Sequence, residues 1–257
     1  MERPHGTSTE LPASIPECHR LLSVAQTNLA LYQQLHQLGY ANESLARIRA
    51  AYEVAANLFA GRFRPCGRTF IAHLVGTGSI LAELGAAEPV VAAGLLHAAY
   101  EQGDFGFIRW RHRRGHVRNI VGAAVEDLVW RYDGLKWYGG VKRTLFEQLD
   151  TLAGPEKTVV LMRLANELDD HMNFARQLSG DLHYDHREDR DIVVAMAEKM
   201  GEPRLAAALR QVFSEPQDVD WLAPLRTDRT GAYQLAWSRG SVLRKMLRFI
   251  PTQYLPF

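Results

Sequence analysis

Residues 61–73 read "GRFRPCGRTFIAH" and residues 91–103 read "VAAGLLHAAYEQG". Each stretch carries one histidine, His73 or His97, at the end of an apolar run of helical character. The residue after His97 is Ala98, which holds no charge. A buried polar side chain needs a partner. A lone histidine on an apolar helix is usually a hydrogen-bonded core residue. Two on consecutive helices, with Glu101 one turn beyond His97 on the same helical face, make a shared site an equal reading. A third polar group sits in "LMRLANELDDHMN", residues 161–173. There Asn166 and Asp170 share one face, and Glu167 and His171 share another.

Outward from these stretches, helical periodicity dominates and alternating strand patterns are nearly absent. A first helix is expected from Cys18 to about Gly39. A second follows "GYANES", capped by Asn42 or Ser44, and runs Ala-rich to Gly61. "RPCG" is a turn. A helix over "TFIAHLVGTGSILAEL" stops at Gly85, and Glu88-Pro89 opens one helix through "VVAAGLLHAAYEQ". "FIRWRHRRG" reads as a basic, aromatic connector, then one helix over "HVRNIVGAAVEDLVWRY" and a loop at "DGLKWYGG". Further helices are expected at about 141–152, 155–178, 187–200 and 202–213. A mixed, Pro-containing stretch then leads to a last helix near 232–250 in a loosely tied C-terminal piece.

The fold class is therefore all-α. The expected organisation is a flexible arm over residues 1–17, a main helical domain over 18–213 and an extension over 214–257. With 257 residues, 47% of them hydrophobic and 23% charged, the composition is that of an ordinary globular protein. Thirty basic residues against 29 acidic ones leave a net charge of +1, which gives no global pull toward nucleic acid or a membrane. No nucleic-acid partner is expected. The N-terminus has no apolar signal core and no run is long enough to span a bilayer. Two cysteines, Cys18 and Cys66, make neither a disulfide framework nor a metal pair, and a reducing cytoplasm is the expected setting.

Residues 51–73, "AYEVAANLFAGRFRPCGRTFIAH", resemble the opening of the hydrolase domain of the RelA/SpoT alarmone family, part of the HD phosphohydrolase superfamily. The resemblance continues through "ILAELGAAEPVVAAGLLHAAYEQG", "IVGAAVEDLVWRYDGLKW" and "TVVLMRLANELDD", and more faintly through "IVVAMAEKMGEPRLAAALRQVF". It covers about residues 50–213 in order. It implies an HD-like helical bundle with extra N- and C-terminal helices. It also implies one divalent ion, usually manganese, held by a His, a His-Asp doublet and a distant Asp. His73 and His97 match the histidines. Ala98 stands where the doublet has Asp, and Asn166 where the distant Asp belongs. Of the Glu-Asp pair that positions water in the family, Glu101 remains and Gln102 replaces the second. Arg64 matches a basic residue that contacts the nucleotide base. Asp170 stands where the family has an Asn near the ligand.

Hard divalent cations prefer carboxylate oxygen, and anionic ligands offset their charge in a dry pocket. The replacements weaken such a site, and three readings follow. In the first, the domain is a pseudo-hydrolase binding a phosphorylated or anionic small molecule through Arg64, Arg68, Asn166 and Asp170. In the second it is a repurposed enzyme, with His73, His97 and Glu101 holding iron, zinc or manganese, or with His97 and Glu101 in metal-free acid–base work. In the third it keeps residual nucleotide pyrophosphohydrolase activity, or is an interaction module built on "IRWRHRRGHVR", whose bland alternative is a loop with charges balanced elsewhere. The C-terminal "SRGSVLRKMLRFIPTQYLPF" places Leu243, Met246, Leu247 and Ile250 on one face. It reads as an amphipathic basic helix for docking, self-association or a protein partner. Trp130, Trp137 and Tyr138 are candidates for stacking a ring.

Overall fold

The computed structural model describes residues 22–180, 187–216 and 220–234. The helices are α1 (Asn28–Gln37), α2 (Asn42–Leu58), α3 (Phe70–Glu83), α4 (Glu88–Leu96), α5 (Ala99–Gln102), α6 (Trp110–Val121), α7 (Ala123–Gly134), α8 (Gly139–Gln148), α9 (Gly154–His171), α10 (Arg187–Lys199) and α11 (Pro203–Ser214). Two short strands, β1 (Arg62–Phe63) and β2 (Tyr233–Gln234), pair antiparallel. The fold is all-α, as the periodicity predicts. No helix among the described residues is long and apolar enough to cross a membrane.

Helix α3 is the axis of the bundle. Every residue from His73 to Ala82 is buried, and a helix apolar on all sides must be enclosed by others. Helices α4 and α9 pack on it. Helix α2 packs on α4, and α7 joins α4 to α9. The "RPCG" turn closes through Arg64 N–H to the Arg68 carbonyl at 2.8 Å and Gly67 N–H to the Arg64 carbonyl at 2.9 Å. Phe70 and Phe59 stack beneath it with centroids 4.6 Å apart.

Several boundaries depart from the expectation. Residues 22–27 are not helical. Helix α1 starts only after Thr27, whose side chain accepts from the Ala30 N–H at 3.2 Å. The preceding segment is held by Ala25 N–H to Ser79 Oγ at 2.7 Å. Neither Asn42 nor Ser44 caps α2, which opens after Ala41 with no side-chain cap. The helix expected through residue 102 is interrupted at His97–Ala98. Gly122, at φ 86°, splits the helix expected over 116–132 into α6 and α7. The segment taken for a connector is the first half of α6. Its arginines hid the helix, because their partner is not local. Tyr233–Gln234 is a strand, and the rest of the expected 232–250 helix lies outside the described residues, as do the 1–17 arm and Cys18.

That partner is Glu126, a fully buried carboxylate on α7. Arg114 bonds it at 2.5 and 2.9 Å, Arg118 at 2.9 Å, and Tyr100 Oη donates at 2.9 Å. Arg113 lies over Phe105 and Arg114 over Trp130. Burial opposes ionisation of Glu126, but the Arg114 and Tyr100 hydrogen bonds outweigh it and hold the carboxyl below its usual range. Much of the arginine patch is therefore spent inside the domain. Glu126→Ala removes three charge-assisted partners and is expected to cost about 2–3 kcal/mol, read as a lower denaturation midpoint. A midpoint within error of the parent contradicts this anchoring.

Candidate functional site

His73 and His97 meet. Their Nε2 atoms are 3.2 Å apart and the ring planes stand at 82°. His73 Nδ1 lies 2.6 Å from Asp169 Oδ2, and His97 Nδ1 lies 2.7 Å from the Gly94 carbonyl oxygen. A carboxylate and a carbonyl only accept, so both Nδ1 atoms carry the proton and donate it. Both Nε2 lone pairs then face one another. The break after α4 makes this possible, because it leaves His97 as the residue that ends the helix. Burial, with His73 alongside, pushes the His97 imidazole down to about 3, and burial likewise lowers His73. Both rings are neutral at pH 7.

Behind His73 stands Asp169, which the sequence reading did not single out. It is fully buried on α9 and shared between His73 Nδ1 and the Arg68 guanidinium. Burial opposes its charge, yet Arg68 and the His73 N–H keep its carboxyl below the usual range. Gly76 of α3 makes room for it, since a Cβ there would fall 1.9 Å from Asp169 Oδ1. The signal lay in the spacing. Met162, Ala165 and Asp169 form an i, i+3, i+7 stripe, so Asp169 occupies an apolar-face position. Asp170 beside it pairs with Arg64, and its Oδ2 accepts from Asn166 Nδ2 at 3.2 Å. Burial again opposes charge, and Arg64 with His73 drives the Asp170 carboxyl well below the normal range.

In front of His97 opens a cavity of about 360 Å³ lined by Arg64, Phe70, His97, Ala98, Glu101, Gln102, Tyr132, Arg163, Asn166 and Asp170, and by Thr230–Ala232. Of the expected site residues, Arg64, His97, Glu101, Asn166 and Asp170 come together on this wall. Arg68 turns inward to Asp169 instead. Glu101 is exposed at the rim, and the turn at His97–Ala98 separates it from the His97 helix. Arg163 was not anticipated, although it lies at i−3 from Asn166 and i−7 from Asp170. Its guanidinium sits 3.7 Å over the Tyr132 ring and donates to the Tyr132 and Leu135 carbonyls at 2.8 and 2.9 Å. The aromatic candidates are placed elsewhere. Trp137 Nε1 donates to Glu167 at 2.5 Å, Trp130 lies under Arg114, and none of Trp130, Trp137 and Tyr138 lines the cavity.

His73, Asp169 and Asp170 are the one cluster among the described residues with three potential metal-ligating side chains close together. Both carboxylates are already neutralised by arginines, so a divalent ion there would have to displace a guanidinium. On the Nε2 side, two imidazoles are well placed, but Ala98 contributes no donor and Asn166 only an amide. That set does not fit a hard cation such as manganese.

A family model described as a domain of unknown function, DUF6817, matches residues 55–136. The chain is 28% identical to a GTP pyrophosphokinase of Streptomyces antibioticus over 159 residues, 62% of this chain and 18% of that protein. It is 27% identical over the same length to a GTP pyrophosphokinase of Streptomyces coelicolor, again over 18% of the relative. A solved structure of a metazoan ortholog of SpoT that hydrolyzes ppGpp superposes with a TM-score of 0.43 at 22% identity, covering 68% of this chain and 96% of the other. In sequence the helical domain is similar to part of these GTP pyrophosphokinases, and it spans under a fifth of their length.

The neutral His97 predicts a pH profile. An unfolded chain binds a proton at histidine below about pH 6.5, whereas folded His97 does so only near 3. Between those values the unfolded state holds more protons, so stability falls on acidification by up to about 1.4 kcal/mol per pH unit for this group. His73 acts in the same direction, while Asp169 and Asp170 lose their contribution only below about pH 4. The melting temperature is expected to drop from pH 7 to pH 5, and less steeply in His97→Leu. A parent profile that is flat over this range contradicts a neutral buried pair.

Proposed function

We propose that this chain is an HD-like pseudo-hydrolase whose cavity binds a compact phosphorylated or anionic small molecule without the manganese chemistry that the sequence resemblance implies for an intact site. The observation that carries this reading is Arg163. Its guanidinium lines the cavity beside His97, yet it is held only by two neutral carbonyls and a ring face. No described carboxylate forms an ion pair with it. A cation spared such a partner on a part-buried wall favours an anion in the cavity. Arg64 lies on the same wall at the "RPCG" turn, with its charge shared with Asp170. The resemblance to the GTP pyrophosphokinases makes a phosphorylated ligand the natural anion, and a reducing cytoplasm its setting. Inorganic pyrophosphate serves as the probe. Arg163→Gln is expected to weaken its binding by at least tenfold, with Arg64→Ala weakening it too. Equal affinity of parent and Arg163→Gln by calorimetry removes Arg163 from the ligand site and this reading with it.

A second reading, a repurposed metal-dependent enzyme, rests on the Nε2 pair. Nitrogens of two imidazoles bound side by side on one zinc-type ion, with bonds of about 2.1 Å, stand about as far apart as His73 and His97 do. Glu101 at the rim would be the nearest added carboxylate on the cavity wall. Elemental mass spectrometry of the purified chain beside His97→Ala decides between the two. Stoichiometric iron or zinc that vanishes in the variant favours the enzyme, and none in either favours the anion pocket. Introducing Ala98→Asp with Asn166→Asp is expected to raise manganese affinity by about a hundredfold or more.

A further inference from the structure

The strand pair β1–β2 joins the "RPCG" turn to a segment far along the chain. Phe63 pairs with Tyr233 and Arg62 with Gln234. The Phe63 and Tyr233 rings stack at 5.4 Å, and Arg229 lies 4.2 Å over Tyr233. Upstream, the segment is tied by Thr227 N–H to the Leu178 carbonyl at 3.1 Å and by Gly180 N–H to the Arg229 carbonyl at 2.9 Å. The approach at Gly180 is so close that a Cβ there would fall 2.8 Å from the Asp228 backbone. Further back, Leu222 is fully buried, and Trp221 meets Phe174 edge to face at 5.5 Å.

Between these anchors, Thr230, Gly231 and Ala232 form one wall of the His97 cavity, opposite residues of α5, α7 and α9. They carry no charge and only small side chains. With that wall in place the cavity measures about 360 Å³, near the lower end of the roughly 300–1,000 Å³ typical of ligand pockets.

We propose that residues 227–234 are the specificity wall of this site. They admit a compact anion to His97 and Arg163 and hold out one carrying a nucleoside. The restraint is of limited strength, because a ladder of two residue pairs is marginal by itself and the Phe63–Tyr233 stack carries much of it. This inference rests on the anion-pocket reading for its ligand, but the wall is also a matter of steric access.

The test uses the full chain with Phe63→Ala and Tyr233→Ala together, and inorganic pyrophosphate and GDP as probes. GDP presents a diphosphate esterified at one end to a nucleoside, so the change in its binding on releasing the stack, relative to that of pyrophosphate, reports on bulk. In the parent, pyrophosphate is expected to bind at least tenfold more tightly than GDP. In the double variant GDP gains at least tenfold while pyrophosphate changes less than threefold. GDP binding that is unchanged by the substitutions, or that already matches pyrophosphate in the parent, overturns the wall. A ligand-free readout separates its failure from that of the anion pocket. Ala98→Cys, made with Cys18→Ser and Cys66→Ser, is alkylated by a bulky maleimide and by iodoacetamide. Releasing the wall is expected to speed the maleimide at least tenfold and iodoacetamide far less. If neither anion binds the parent, the anion pocket fails, and the labelling still decides the wall: equal rates with and without the stack overturn it. Tyr233→Ala alone, on an edge strand away from the core, replaces the double variant should that not fold.

Discussion

The buried chain Arg68–Asp169–His73 is the constraint on which the site depends. A carboxylate with no exposure costs several kcal/mol unless paired, and here one acid serves two donors on separate elements. Arg68 comes from the turn after β1, His73 from α3 and Asp169 from α9. The cluster therefore fixes three pieces of chain at once. It also fixes a proton. With the carboxylate behind it, His73 must carry its hydrogen on Nδ1 and turn Nε2 toward His97, whose own hydrogen is claimed by the Gly94 carbonyl. Side chains of this kind, buttressed from behind, are how proteins hold imidazoles in one tautomer and one orientation.

The distribution of negative charge around the pair follows from the same arrangement. The acids on α9 sit on the Nδ1 side and are matched by guanidinium groups. On the cavity side Ala98 and Asn166 bring no charge, Asp170 is paired with Arg64, and Glu101 stands out at the rim. Asp169 thus orients the His73 imidazole through its Nδ1 hydrogen. Arg163 then stands as the cation on the cavity wall without an ion-pair partner among the described residues. On the proposed reading, this helical bundle frames an anion receptor.

Much of this was legible in the sequence. The helix over 69–84 with its stop at Gly85, the turn at 64–67 and the meeting of two histidines all follow from periodicity and from the cost of burying polar groups. What was not legible depends on contacts that only the folded chain makes, some of them local and some between residues far apart in sequence. The interruption at His97–Ala98 lies in a run rich in Leu and Ala, where the His97 ring donates to the Gly94 carbonyl. The arginine-rich start of α6 reads as a connector until Glu126 is known to lie beneath it. The spacing puts Asp169 on the apolar face, but its partner Arg68, about a hundred residues earlier, is known only from the fold. The two strands contain two residues each, too few for any alternation to show.

The β1–β2 ribbon also bears on how the molecule is made. Thr227 and Pro65, which it brings together, are separated by 162 residues. Closing so long a loop has an entropic cost that local contacts do not carry, and a nascent chain emerges from its N-terminus first. The helices that carry His73, His97 and Asp169 can assemble before residues 227–234 have been synthesised. Among the residues that line the cavity, Thr230–Ala232 are thus the last to be synthesised, and the wall they form is the last part of the site that can acquire its shape.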